Sequence, residues 1–411
     1  MKNIYILDEY KSSTQNGIGT FLRELVKCFT GHNICLIEFN SNEKLFDIKT
    51  VNDIREMHFP SFQRNGFLTN YKIIDKFLRL YIKDSPDNLF MLNHSPCEKL
   101  LKTIRTAFPL SKITFTIHDL GWTYRLSGDF NLLKNIILKE KHKKIKTEYQ
   151  SVIDYFHEEQ RMYETADKVI CLSKDTYRFL QEVYLTDRNK ISLIPNGLID
   201  NYTPVTSSKK QKMKIKMGIN PCEKILLTAG RITSAKGIPN LLNAFSEVVK
   251  KYPNCRLVVI GHVYDPGFIL KLSKQDAAKV SYTGLISKDE LANWYHIADI
   301  GIIPSLSEQC SYTGIEMMMH KLPIVASDGF GVRNMFQDGI NARIASIGNR
   351  KKPKEYKMNL TEAILELLFS EELCLQLGKE ARQTYESCYT PEKMQEGYKM
   401  LLEEISEKYQ K

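Results

Sequence analysis

Two carboxylates and two cations carry the chemistry that this sequence offers. Glu308 and Glu316 stand with seven residues between them in Pro304-Ser-Leu-Ser-Glu308-Gln-Cys-Ser-Tyr-Thr-Gly-Ile-Glu316. A carboxylate can accept hydrogen bonds from both members of a vicinal pair of sugar hydroxyls. Upstream, Gly230-Arg231-Ile-Thr-Ser-Ala-Lys236-Gly237 sets a guanidinium and an ammonium five positions apart. The first can chelate two phosphate oxygens and the second supplies a compact charge, a combination suited to a diphosphate. Taken singly, each motif has a plainer reading as a solvated loop or helix face. A third candidate, His118 in Thr116-Ile-His118-Asp119, closes an apolar run. A lone histidine there is more often a structural hydrogen-bonding residue, with Asp119 fixing its tautomer or capping the next segment.

These residues need a scaffold, and the apolar pattern supplies one. Short strand-like runs alternate with helical spacing, which predicts parallel α/β units. In the first half the runs are 4–7, 34–39, 89–92, 113–117, 169–172 and 191–194. In the second they are 225–229, 256–260, 280–282, 300–303, 324–326 and 342–344. Glu308, Arg231 and His118 all follow such runs, and ligands of open parallel sheets bind at that edge. Glu316 is expected one or two turns into the next helix, whose N-terminal amides can hold a phosphate. Asn196 to Met217 lacks periodicity, holds prolines, serines and lysines, and reads as an interdomain connection. Thr390-Pro391-Glu392 reads as the start of a last helix, with Met394, Tyr398, Leu401, Leu402 and Ile405 on one stripe.

The 411 residues suit two domains. With 43% hydrophobic and 26% charged residues the composition is that of a soluble globular protein. No apolar run reaches membrane-spanning length, and the first residues read as a strand rather than a leader, so a cytoplasmic location is the default. Nine scattered cysteines without a C-x-x-C pair argue against a disulfide framework and a structural zinc site. The net charge of +10 concentrates partly in Lys134 to Lys146 and Lys209 to Lys216. The second cluster reads as solvated; the first admits a solvated helix face or contact with an anionic membrane, at the inner face. No nucleic-acid recognition motif accompanies the charge.

Together the motifs resemble the E-x7-E and G-R-x4-K-G signatures of retaining nucleotide-sugar glycosyltransferases of the GT-B fold, most closely glycosyltransferase family 4, also described as glycosyl transferases group 1. The resemblance runs from residue 3 to about residue 400. It implies an α/β chain of two facing Rossmann-like domains with parallel sheets. Residues 1–200 would form the acceptor side, 201–388 the donor side, and 389–411 a C-terminal helix crossing back to the N-terminal domain. By resemblance, Glu316 holds the ribose, Arg231 and Lys236 hold the diphosphate and stabilise its departure, and Glu308 binds the transferred sugar. His118 stands near the reaction centre. The donor set adds Gly17 and Gly19 of the loop Asn16-Gly-Ile-Gly-Thr20, Gly230, Gly284 with Leu285 facing the nucleobase, and the backbone of Cys310, Ser311, Tyr312 and Thr313. Lesser matches are Val169 to Ser173, Ile194-Pro-Asn-Gly197 and Asp328-Gly-Phe-Gly331.

One departure stands out. The family usually reads E-G-F-G after the first Glu, whereas this chain has Glu308-Gln309-Cys310-Ser311, which puts the donor sugar in question. Cys310 reads as a small packing residue, since no base accompanies it. There is no D-x-D, so no metal and no resident cofactor are expected, the cations taking the metal's part. The implied partners are a nucleoside-diphosphate sugar (UDP or GDP) and a glycan, lipid-linked or peptide acceptor. The competing readings are an inactive scaffold of the same fold and a phosphorylase-type enzyme. The third glycine of a dinucleotide fingerprint is missing, which disfavours a nicotinamide oxidoreductase.

Overall fold

The computed structural model describes residues 1–8, 17–60, 71–93, 97–141, 146–263, 267, 274–350 and 352–407. The chain divides into two compact units. The first comprises residues 1–125, 131–197 and 391–411, the second residues 126–130 and 198–390.

The first unit holds β1 (Asn3–Asp8), β2 (Asn33–Ser41), β3 (Asp47–Val51), β4 (Ile54–Pro60), β5 (Asn88–Leu92), β6 (Lys112–Ile117), β7 (Lys168–Cys171) and β8 (Ile191–Leu193). They form one sheet in the order β3-β4-β2-β1-β5-β6-β7-β8. All neighbours are parallel except the β3–β4 hairpin. β5 and β7 are buried along their whole length, the pattern of strands covered by helices on both faces. The helix Pro391–Glu407 belongs to this unit. Its Tyr398 meets Phe29 edge-on at 5.4 Å, and Met394, Leu401 and Ile405 are buried. Gly397 lies so close to Ile194 that a Cβ would sit 2.8 Å from its Cγ2, and Lys168 pairs with Glu404.

The second unit holds β9 (Lys224–Ala229), β10 (Cys255–Ile260), β11 (Val280–Gly284), β12 (Ile300–Ile303), β13 (Ile324–Ser327) and β14 (Arg343–Ala345). The order is β11-β10-β9-β12-β13-β14, all parallel. β9 is flanked by β10, which follows it directly, and by β12, so strand order reverses between β9 and β12. That reversal opens a crevice at the carboxyl ends of the two strands.

Three expectations need correction. The β3–β4 hairpin was not anticipated. Its turn is Asn52-Asp53, both with positive φ, 48° and 64°, as a two-residue hairpin of type I′ requires. The stretch expected as an aperiodic connection contains a helix, Ser207–Lys216, capped by the Thr206 hydroxyl. Its lysines are not all solvated, since Lys210 and Lys214 both bond Asp299, at 2.8 and 2.9 Å. Gly17 and Gly19 lie in the first turn of the helix Gly17–Lys27 rather than in a loop; Asn16 lies outside the described residues.

In the basic segment, Lys134 pairs with Glu182 and Lys146 with Glu148, while Lys143 and Lys144 fall outside the described residues. Among the described residues no helix is long and apolar enough to cross a membrane.

Candidate active site

The crevice between β9 and β12 is where the second unit gathers its predicted residues. β9 is followed by Gly230 (φ 130°), whose N–H donates to Ile260 O at the end of β10. Gly261 in turn donates to Gly284 O at the end of β11, 2.9 Å away. A Cβ on Gly261 would sit 1.8 Å from Gly230 O, so only glycine permits this approach. Gly230, Gly261 and Gly284 thus run along one sheet edge, and Leu285 beyond them is exposed. The sequence signal for Gly261, a glycine directly after an apolar run, was there to be used.

The Arg231–Lys236 loop is pressed against the Pro304–Glu308 loop. Leu306 N–H donates to Ala235 O at 2.9 Å. Gly237 is left-handed (φ 68°) at the start of the helix Ile238–Lys251, and a Cβ there would lie 1.9 Å from Pro304 O. This contact brings Lys236 Nζ to 2.5 Å from Glu308 Oε1. The Ser305 hydroxyl donates to the same oxygen at 2.7 Å. Arg231 is exposed, and among the described residues nothing pairs with it. Gly237→Ala is expected to cost at least about 2 kcal/mol, since a non-glycine residue held left-handed costs about 1–3 kcal/mol before the clash is counted. A urea midpoint reads the loss; an unchanged midpoint would mean that the two loops can part without penalty.

The opposite wall is equally close. Glu308 N–H donates to Phe330 O at 2.9 Å, and a Cβ on Gly331 would meet Glu308 O at 1.8 Å. Residues 126–130, which sequence reasoning assigned to the first domain, group with this unit. Arg350 donates to Gly128 O and Leu306 O at 3.3 and 3.4 Å. Gln309, Cys310 and Ser311 are buried. Ser311 caps the helix Tyr312–Met319 by accepting from Gly314 N–H at 3.3 Å. Thr313 ties that helix to β9 through a bond to Ala229 O, 3.3 Å. Glu316, in its second turn, accepts from the Tyr295 hydroxyl at 2.7 Å. Burial raises the Glu316 carboxyl above its usual range, and the Tyr295 bond draws it back.

His118, Gly17 and Gly19 belong to the first unit. His118 follows β6, and its ring meets Phe21 of the helix Gly17–Lys27 edge-on at 4.4 Å. Asp119 accepts from Leu120 N–H and the Thr123 hydroxyl, at 2.9 and 2.8 Å, which ties it to the first turn of the next helix, Gly121–Arg125. Sequence reasoning missed Glu159 of the helix Gln150–Thr165. It is wholly buried, accepts from Gly121 N–H at 2.7 Å and bonds the Tyr184 hydroxyl. Burial pushes its carboxyl up to about 7, against the pull of those two donors.

Two parallel α/β units, the second with cations and carboxylates at its switch point, define the class as GT-B glycosyltransferases. Residues 15–201 match the family model described as Glycosyltransferase Family 4, and residues 209–384 the one described as Glycosyl transferases group 1. The chain belongs to this glycosyltransferase family. Alpha-monoglucosyldiacylglycerol synthase of Acholeplasma laidlawii is 31% identical over 150 residues, 35% of this chain and 37% of that one. The chain matches less than half the length of the curated relatives compared with it. Sucrose-phosphate synthase from Thermosynechococcus elongatus shares the fold at a TM-score of 0.75 and 18% identity, covering 98% of this chain and 99% of that one. So does Anabaena Alr3699/HepE, solved in complex with UDP and glucose, at 0.70 and 15%, covering 98% and 100%.

Proposed function

We propose that the protein transfers a sugar from a nucleoside-diphosphate sugar to an acceptor with retention of configuration. The observation that carries this reading is the Lys236–Glu308 pair at the β9–β12 crevice, with Arg231 exposed at the end of the same strand. In the proposal Arg231 and Lys236 hold the diphosphate and stabilise its leaving charge, the part a metal plays elsewhere. Glu308 binds hydroxyls of the transferred sugar and Glu316 those of the ribose. Gly230 and Gly284 let the backbone of the sheet edge approach the nucleotide. The backbone of Cys310, Ser311, Tyr312 and Thr313 lines the sugar. His118, Gly17 and Gly19 are assigned by resemblance. No protein nucleophile is invoked, in keeping with same-face attack.

UDP is the preferred base and GDP the alternative. UDP is supported by the Anabaena neighbour's complex. Among acceptors, a lipid-linked one is preferred to a free glycan or a peptide, and the name of the Acholeplasma relative supports it. Peripheral contact with an anionic membrane, through the basic segment, belongs to the same proposal.

A thermal-shift panel of UDP, GDP and ADP, with and without magnesium, tests the donor site. Ligand at one hundred times its Kd adds about 2.7 kcal/mol by mass action. One nucleotide is expected to raise the melting temperature independently of magnesium, and Arg231→Ala to reduce the rise. No response to any of them would sink the reading.

A further inference from the structure

We propose that Tyr295 is a positioning residue for donor binding: it holds one oxygen of Glu316 so that the other is left for the ligand. The inference rests on the donor-site reading above. Glu316 Oε2 accepts from the Tyr295 hydroxyl at 2.7 Å. Among the described residues nothing bonds Oε1. The terminal torsion of a glutamate is broad, so a fixed donor on one oxygen is what selects its direction.

Tyr295 is itself fixed. It projects from the helix Lys288–Ile297, is 2% exposed, and its ring packs on His320 at 5.0 Å. His320 Nδ1 donates to the Glu316 carbonyl at 2.8 Å. Burial pushes His320 down to about 4, so near neutral pH it is an uncharged ring donating through one nitrogen. Tyr202 and His296 close around it at 5.6 and 5.2 Å. The Tyr295 phenol is pushed well above its usual range, by burial first and the Glu316 charge second, so it stays a donor across the working pH range. The same helix turn that binds the ligand therefore also clamps, through His320, the ring that aims its carboxylate.

The alternative is that Tyr295 only fills the core. Tyr295→Phe keeps the packing and deletes the hydroxyl, so the two roles separate in binding. The nucleotide is whichever of UDP, GDP and ADP stabilises the wild type. Its Kd and the donor KM are expected to rise about tenfold in Tyr295→Phe, the weight of one hydrogen bond to a charged group, a larger effect than that on kcat, and the melting temperature is expected to fall because the buried Glu316 carboxylate loses its donor. In a Glu316→Gln background the same substitution is expected to change binding less than twofold. Wild-type affinity in Tyr295→Phe, or an equal loss in both backgrounds, would overturn the inference alone. A wild type that binds none of the three nucleotides would overturn the donor site itself.

Discussion

Arg231→Ala and Lys236→Ala are each expected to lower turnover with a nucleoside-diphosphate sugar by about 10²–10³-fold, the usual cost of removing one preorganised group that meets developing charge. The two variants should part in stability. Arg231 is exposed and unpaired among the described residues, so its loss should stay within about 0.5 kcal/mol, as surface changes do. Lys236 is a quarter exposed and its partner Glu308 only 12%. Without the ammonium, Glu308 keeps the Ser305 hydroxyl alone, and an under-satisfied buried carboxylate costs about 1–3 kcal/mol. Steady-state kinetics and urea unfolding on both variants give the four numbers. A stable Arg231→Ala enzyme with full turnover would remove that residue from the donor site.

Glu159→Gln is expected to flatten the pH dependence of stability between pH 5 and 8. Burial pushes the folded carboxyl up to about 7, well above the usual carboxylate range. The fold therefore favours the neutral form. Its contribution is complete below the unfolded pKa and is lost as pH rises through 7. At about 1.4 kcal/mol per unit, the fold disfavours the charged form by roughly 3 kcal/mol relative to the unfolded chain. The groups facing it are Gly121 N–H and the Tyr184 hydroxyl, which favour the charge, and Asp119 and Glu158, which oppose it. A glutamine can accept from Gly121 and donate to Tyr184, as the neutral acid does. Melting temperatures of both proteins across that range should diverge in the variant's favour as pH rises; parallel curves would show that Glu159 does not titrate there. Glu159 caps the helix that begins three residues after His118, so turnover measured on the same samples reports whether that end of the sheet moves with its charge.

The strands were legible because most are buried on both faces and read as unbroken apolar runs. The hairpin β3–β4 escaped because Ile48, Lys49 and Thr50 alternate weakly, although Asn52-Asp53 between two runs was a usable turn signal. The helix Ser207–Lys216 escaped for a different reason. It is polar almost all round, and its anchor is Asp299, 85 residues beyond Lys214, which no local pattern reveals. Glu308 and Lys236 were legible as types at strand ends, but their pairing depends on Gly237 lying against Pro304. Glu159 could have been noticed. It falls on the stripe Val152, Ile153, Phe156, Met162 and Tyr163 of its own helix, and a carboxylate on an apolar stripe needs buried donors. Tyr295 had no such signal, since an aromatic residue at helical spacing reads as core.

The helix Pro391–Glu407 gives the chain an order of completion. Synthesis releases the first unit's sheet early, yet the face around Phe29 and Ile194 stays uncovered until Tyr398 and Leu401 have left the ribosome. By then every residue of 198–390 has emerged and can have folded. The unit begun first is thus finished last, with its closing contact spanning nearly the whole chain, a separation that makes such contacts slow to form. During that interval the nascent protein holds a completed second unit and an incomplete first unit with exposed apolar surface, the condition in which large chains aggregate or recruit chaperones.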